Sequence, residues 1–332
     1  MSRQSSHRVV HGPAVLVRWL AVGCAVLALL AIGFGRAATV VAQDATPVPV
    51  ECDAPALPPG TATPQETGTP GAEVPDVAEE AEPEASPVAG TPADEATTAA
   101  AAAAAQNIAN CINGGNLEGA AALFTPNFIM EIAGTSNPYD VPASLEGFAL
   151  VDFQTGDAVT TPDGRVGIEV TYLQSQYQFV HEQWWLVQDG EYWKLDAFDV
   201  LTPEPEGDTA VVGVALGAPE NEYSVTPNTG SVTASPVLIF QATNGGQEDH
   251  ELVVFKLPEG ADPAGLLDGS IPEDQIEFIG AVGPMAPGET QGLALIGLPP
   301  GVYTLTCFIP SPDGTPHIAL GMVTTFEVTA PA

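Results

Sequence analysis

Basic side chains are scarce in this sequence: 7 Lys and Arg stand against 42 Asp and Glu in 332 residues. Arg3, Arg8, Arg18 and Arg36 all precede residue 43, where no acid is found. Beyond that point Arg165, Lys194 and Lys256 are the only cations among the carboxylates. Such a surface repels phosphate backbones and anionic membranes, which excludes nucleic acid as a partner. A basic protein or free cations would be drawn to it, although a self-repelling, soluble surface with no partner accounts for it equally. Chemical motifs are scarce too. There is no nucleophile–base pairing, no phosphate loop and no zinc spacing, so nothing marks the chain outright as an enzyme.

Long apolar runs are absent apart from Trp19 to Phe34. This run follows three arginines and precedes Val40-Val41-Ala42, a small-residue cleavage site before Gln43. That order predicts an export signal over residues 1–42. An uncleaved membrane anchor is the alternative, and it would be the chain's one link to a membrane. The run is slightly short for a span and Arg36 blocks its extension. Export places the protein outside the cell or on its surface, where thiols usually pair. Of four cysteines, Cys52, Cys111 and Cys307 follow the signal, so one is left over if two pair. The expectation is a Cys52–Cys111 bridge with Cys307 free.

Residues 43–97 are Pro, Thr, Ala, Gly and Glu with almost no large apolar side chain. They predict a disordered spacer, because too little apolar surface exists to offset ordering entropy. Two units follow. Over 98–203 a helix from Thr97 to Ile112 stops at Asn113-Gly114-Gly115, and Asn116 caps a shorter one. A looser stretch then leads to three strands: Val166 to Tyr172, Tyr177 to Val187 and Tyr192 to Leu201. Helices first and an antiparallel meander after give an α+β unit. Thr202 to Gly207 links it to residues 208–330, where short apolar runs between Pro, Gly and Asn turns predict an all-β unit. Asp262 to Phe278 has room for a helical turn.

The first unit resembles the NTF2-like (SnoaL-like) family, a cone of sheet and helices. The matching segments are Ile108 to Asn116, Thr125-Pro-Asn-Phe128 and Trp184 to Asp196. That resemblance implies a pocket, with a small apolar ligand or acid–base chemistry inside it. Assuming that Tyr177, Phe179, His181, Gln183, Trp185 and Val187 share the inner face, the pocket residues are Tyr172, His181 and Gln183, with Asp199 as a carboxylate. Ordinary, hydrogen-bonded core polar groups explain the same residues without any ligand.

Near the C-terminus, His250, Cys307, His317 and Met322 supply two imidazoles, a thiol and a thioether, from a chain with only 5 His, 4 Cys and 4 Met. Leu298-Pro-Pro-Gly-Val-Tyr-Thr-Leu-Thr-Cys307 reads as a turn and a strand that ends on the thiol. Asn244-Gly-Gly-Gln-Glu-Asp-His250 and Met285-Ala-Pro-Gly288 complete a pattern that resembles the cupredoxin (plastocyanin/azurin) family, a Greek-key β-sandwich. The resemblance implies one type 1-like copper, held by His250, Cys307, His317 and Met322, and electron transfer or copper handling with a basic redox partner. The residue types suit this: thiolate and imidazole bind both oxidation states, and a weak axial sulfur avoids square-planar geometry. The segment Phe308 to Pro316 departs from the family, whose Cys-to-His loops are shorter. A metal-free sandwich serving as an interaction module, with Cys307 and Met322 as core filler, is the competing expectation.

Overall fold

The computed structural model describes residues 51–57, 90–145, 147–204 and 207–331. The export segment and residues 43–50 and 58–89 of the expected spacer lie outside the described residues. The two described stretches of the spacer are tied to the first unit. Cys52 is disulfide-bonded to Cys111, and Asp53 exchanges two hydrogen bonds with the Asn107 side chain. At the other end, strand β1 (Thr91–Pro92) pairs with a strand of the first unit. The protein is mostly β-sheet with a few helices.

The first unit begins with α1 (Glu95–Asn113), whose alanine run has the highest helix propensity available. Asp94 caps it by accepting from the Thr97 N–H. Ala101, Ala105, Ile108, Ala109 and Ile112 form its buried stripe, a spacing of three and four residues that one helix face requires. Asn116 caps α2 (Leu117–Ala122) and Thr125 caps α3 (Pro126–Ala133). A short α4 (Val141–Leu145) follows. These helices cover one face of an antiparallel sheet of β2 (Val151–Thr160), β3 (Val166–Leu173), β4 (Gln178–Asp189) and β5 (Tyr192–Val200). Strand β2 and helix α3 fall in the stretch expected to be loose. Two register shifts against β3 break the alternation in β2, and half of its residues are exposed, so its composition lacks a period-two signal.

The second unit packs two sheets face to face. One holds β6 (Thr209–Leu216), β7 (Val225–Pro227), β9 (Val237–Asn244) and β12 (Thr290–Ile296), and the other holds β8 (Ser231–Thr233), β10 (His250–Lys256), β11 (Glu277–Met285), β13 (Gly301–Thr306) and β14 (Val323–Thr329). Phe240, Leu216, Leu252, Val254, Tyr303, Leu305 and Phe326 fill the space between them. Between β10 and β11 the chain makes the expected helical turn, α5 (Gly265–Asp268), and buries Ile271 and Ile276 against the outer face of β10.

The two units share a sheet. Strand β3 pairs along its whole length with residues 179–186 of β4, and the other edge of β4 is divided. From Glu182 onward that edge pairs with β5, whereas Gln178 and Phe179 pair with Leu295 and Ala294 of β12. The Gln178 side chain extends the join: its amide donates to the Ala281 carbonyl at 2.9 Å and accepts from the Ala281 N–H at 3.1 Å. Ser175 Oγ donates to the Ile279 carbonyl at 2.7 Å. Among the described residues no helix is long and apolar enough to cross a membrane.

Candidate metal centre

Four separate stretches deliver the sulfur and imidazole side chains to one end of the sandwich. His250 opens β10, and its side chain shares the inner face with Leu252 and Val254. Cys307 follows β13, where alternation carries Tyr303, Leu305 and the thiol into the interior as expected. Met322 precedes β14, and its backbone lies across from that of Cys307: the Cys307 N–H and the Thr306 hydroxyl both donate to the Met322 carbonyl. All four are fully buried.

His317 returns because the excursion from Phe308 to Pro316 closes on itself. Pro310 and Pro316 form an isolated bridge, Ser311 N–H donates to the Thr315 carbonyl, and Gly314 N–H donates to Ser311. The Asp313 carboxylate accepts from the Ser311 hydroxyl and from the Thr315 N–H. The His317 N–H then donates to the Ile309 carbonyl at 2.9 Å, so nine residues leave and re-enter at nearly one point. A short 3-10 turn, His317–Leu320, points the ring inward.

The donor atoms converge. His250 Nδ1 lies 3.1 Å from His317 Nδ1, and Cys307 Sγ lies 3.4 Å from His317 Nδ1. One ligand atom from each of the three residues lies within 4.8 Å of the others. Two donors on one cation at about 2.0–2.3 Å can be no farther apart than about 4.6 Å, and the 3.1 and 3.4 Å separations fall inside that limit.

The opposite ring nitrogens face carboxylates. His250 Nε2 lies 3.1 Å from Glu222 Oε1, and His317 Nε2 lies 3.0 Å from Glu248 Oε2. Ionised carboxylates only accept, so each Nε2 carries its hydrogen and each Nδ1 presents a lone pair. Burial pulls both imidazoles below their ordinary pKa, with the neighbouring His317 adding to the effect on His250, which favours the neutral form of each ring. Two lone pairs 3.1 Å apart therefore repel, and the single thiol hydrogen can satisfy only one of them. A cation at the shared point removes the conflict. Burial, then the Glu251 carboxylate, pushes the Cys307 thiol well above its ordinary pKa, and a bound cation reverses that by taking the thiolate as ligand.

Glu222, Tyr223, Asn244 and Glu248 belong to this site and were not singled out from sequence. Glu222 Oε1 also accepts from the backbone N–H of Gln247 and Glu248, which staples the loop after β6 onto the loop before His250. Burial raises its carboxyl, but those N–H groups and His250 outweigh burial and hold it below the usual range. Tyr223 donates to Glu248 Oε1 at 3.2 Å and packs its ring against that of His317 at a tilt of 51°, with centroids 5.0 Å apart. Buried Asn244 holds the second loop through the Glu248 and Met285 carbonyls and the Gly246 N–H. The glycines here are a matter of space. A Cβ on Gly217 or on Gly246 would lie 2.7 Å from His250 Nε2.

In the first unit the expected inner face is the wrong one. Val180, Trp184 and Leu186 belong to the core under the helices, and Glu182 is buried on the same face. His181 and Gln183 therefore lie on the opposite side of β4. The His181 ring meets the Thr202 carbonyl at 3.0 Å, and Gln183 pairs across the strands with Asp199. Asp199 does not share a face with Leu195 either. A bulge between Trp185 and Leu186 flips β5 there, and Asp199 accepts from the Trp185 indole at 2.6 Å. Tyr172 alone of the four is on the core face. Its hydroxyl donates to Glu182 Oε2 at 3.1 Å, as does the Trp184 indole at 2.7 Å. Burial, opposed by these two donors, pushes the Glu182 carboxyl up to about 7. A cleft of about 230 Å³ at the seam of the units has Tyr172, Phe179 and Ile296 in its lining.

No family model matches the chain, and no curated protein does. Among solved structures, neighbours are cupredoxins over about 37% of the chain. The reduced auracyanin of Roseiflexus castenholzii is 19% identical, covering 37% of this chain and 97% of that one at a TM-score of 0.24. Auracyanin A of Chloroflexus aurantiacus, a "blue" copper protein, is 18% identical over 37% of this chain and 100% of its own, with a TM-score of 0.26. A fern plastocyanin mutant is 23% identical over 35% of this chain and 99% of its own, with a TM-score of 0.20. Scores of this size leave the functional reading to the donor atoms themselves.

Proposed function

We propose that the chain is an exported, type 1-like copper-binding protein serving electron transfer or copper handling, with His250, Cys307 and His317 as ligands and Met322 as the axial thioether. The carrying observation is the pair of Nδ1 atoms facing each other at 3.1 Å beside a free thiol. Copper, when bound, supplies one-electron redox chemistry. The chain does the rest: carboxylates hold both rings in one tautomer, Tyr223 roofs His317, and full burial excludes water from the donors. The NTF2-like reading of the first unit remains part of this proposal, with its helices on one sheet face as support, and so does a small apolar ligand there. A basic redox protein is the partner that the excess of acids would steer at low salt.

Adding Cu(II) to the purified chain is the test. The expected result is intense visible colour from thiolate charge transfer, one copper per chain by elemental analysis, and no colour in Cys307→Ser. A colourless wild-type protein with no retained copper refutes the proposal and leaves the metal-free interaction module. Reversible cycling against a small basic cytochrome separates electron carriage from storage.

A further inference from the structure

Nothing in the copper reading requires that the imidazoles be backed by charge, yet both are. Glu222 and Glu248 reach the Nε2 atoms of the two candidate ligands at 3.1 and 3.0 Å, and both carboxylates are largely shielded, at 16% and 26% side-chain exposure. Among the described residues no Lys or Arg forms an ion pair with either of them. Their hydrogen bonds come from neutral groups instead: the Gln247 and Glu248 N–H for Glu222, and the Tyr223 hydroxyl for Glu248.

We infer that Glu222 and Glu248 are positioning residues that set the oxidation-state preference of the centre, biasing it toward the dication and so toward a low reduction potential. This rests on the copper reading. With the thiolate and two carboxylates, a dication leaves the centre one negative charge in excess, and a monocation leaves two. Uncompensated negative charge in a shielded site disfavours the second state. Each carboxylate also draws on an Nε2–H, which makes the opposite Nδ1 a stronger donor, and stronger donation favours the more highly charged ion. Both effects have the same sign. Oxidation and reduction move one electron between Cu(II) and Cu(I), with the redox partner as the other half of the balance.

The experiment measures the reduction potential of copper-loaded full-length protein, wild type against Glu222→Gln, Glu248→Gln and Glu327→Gln. Glutamine keeps the shape and an acceptor oxygen but removes the charge, and Glu327, exposed on β14, controls for net charge at a distance. Each of the first two is expected to keep the thiolate band and to raise the potential by about 59 mV or more, a tenfold shift toward Cu(I). The control should not move. Tyr223→Phe supplies a variant of opposite sign: losing the hydroxyl concentrates charge on Glu248 and lowers the potential. Coloured variants whose potentials match the control, or a Tyr223→Phe potential that does not fall, overturn this inference and leave the copper centre standing. A wild-type protein that takes up no copper overturns both.

Discussion

Replacing Glu182 with Gln should change how stability depends on pH in a way that no exposed acid would. The carboxyl is 9% exposed, sits between the Tyr172 hydroxyl and the Trp184 indole, and is pushed from 4.5 up to about 7, chiefly by burial. Its folded pKa lies above its unfolded one, so the native state holds a proton that the unfolded chain has released. Stability is therefore unaffected below pH 4.5, falls as pH rises from there, and levels off above the folded value of about 7. At about 1.4 kcal/mol per pKa unit, the full penalty above that window is about 3 kcal/mol. Glutamine does not ionise, so the stability of Glu182→Gln relative to wild type should rise by about 2–3 kcal/mol between pH 5 and 8.5. Urea unfolding of both proteins across that range, with the disulfide intact, measures the difference while the other acids cancel. A difference that stays flat, or one that shrinks as pH rises, refutes the placement of this carboxyl in the core.

Gly217→Ala should damage the metal centre from a residue that ligates nothing. Gly217 has φ of +68°, and its added Cβ would stand 2.7 Å from His250 Nε2 and 2.9 Å from the Glu222 carbonyl. The expected cost is about 1–3 kcal/mol, with weaker copper retention than wild type in competition against a chelator; unchanged retention counts against the loop geometry. Gln178→Ala should loosen the seam, because it strips both hydrogen bonds from the Ala281 backbone and leaves a part-buried N–H unpaired. The expected cost is about 1–3 kcal/mol, read as faster amide exchange at Ala281, and protection equal to wild type would show that the seam does not need this side chain.

Legibility followed periodicity and failed at bulges. Helix α1 announced itself through the Asn113-Gly114-Gly115 stop, although the expected start at Thr97 overlooks the Asp94 cap, and the face of β13 followed from Tyr303, Leu305 and Cys307 alternating into the core. On β4 both faces carry apolar residues, because the helices cover one and residues such as Trp185 and Asp199 pack on the other. Alternation then has no polar side to name, so it points His181, Gln183 and Asp199 inward although they lie on the face away from the core. The bulge between Trp185 and Leu186 compounds the error, since it changes the facing of every β5 residue beyond it without a sequence mark. The share of β4 that pairs with β12 was equally hidden. Nothing local in Gln178 or Phe179 distinguishes a partner within the first unit from one more than a hundred residues away.

The site itself divides the same way. Donor types are chemical facts about residues, so His250, Cys307, His317 and Met322 could be picked out before any fold was known. The convergence of His250, Cys307 and His317 depends on Phe308 to Pro316, and there local chemistry is informative. Asp313-Gly314 is a turn pair, Gly314 adopts φ of +88°, and prolines at 310, 312 and 316 remove backbone donors from an excursion that has little sheet to join. A loop closed by its own Ser311, Asp313 and Thr315 hydrogen bonds has ends that nearly coincide, so its length adds nothing to the distance between Cys307 and His317. The carboxylates behind the imidazoles were illegible for the converse reason. Acids are so common in this chain that Glu222 and Glu248 carry no composition signal. Only the fold, by bringing the loop after β6 against the loop before β10, separates these two from the rest of the chain's acids.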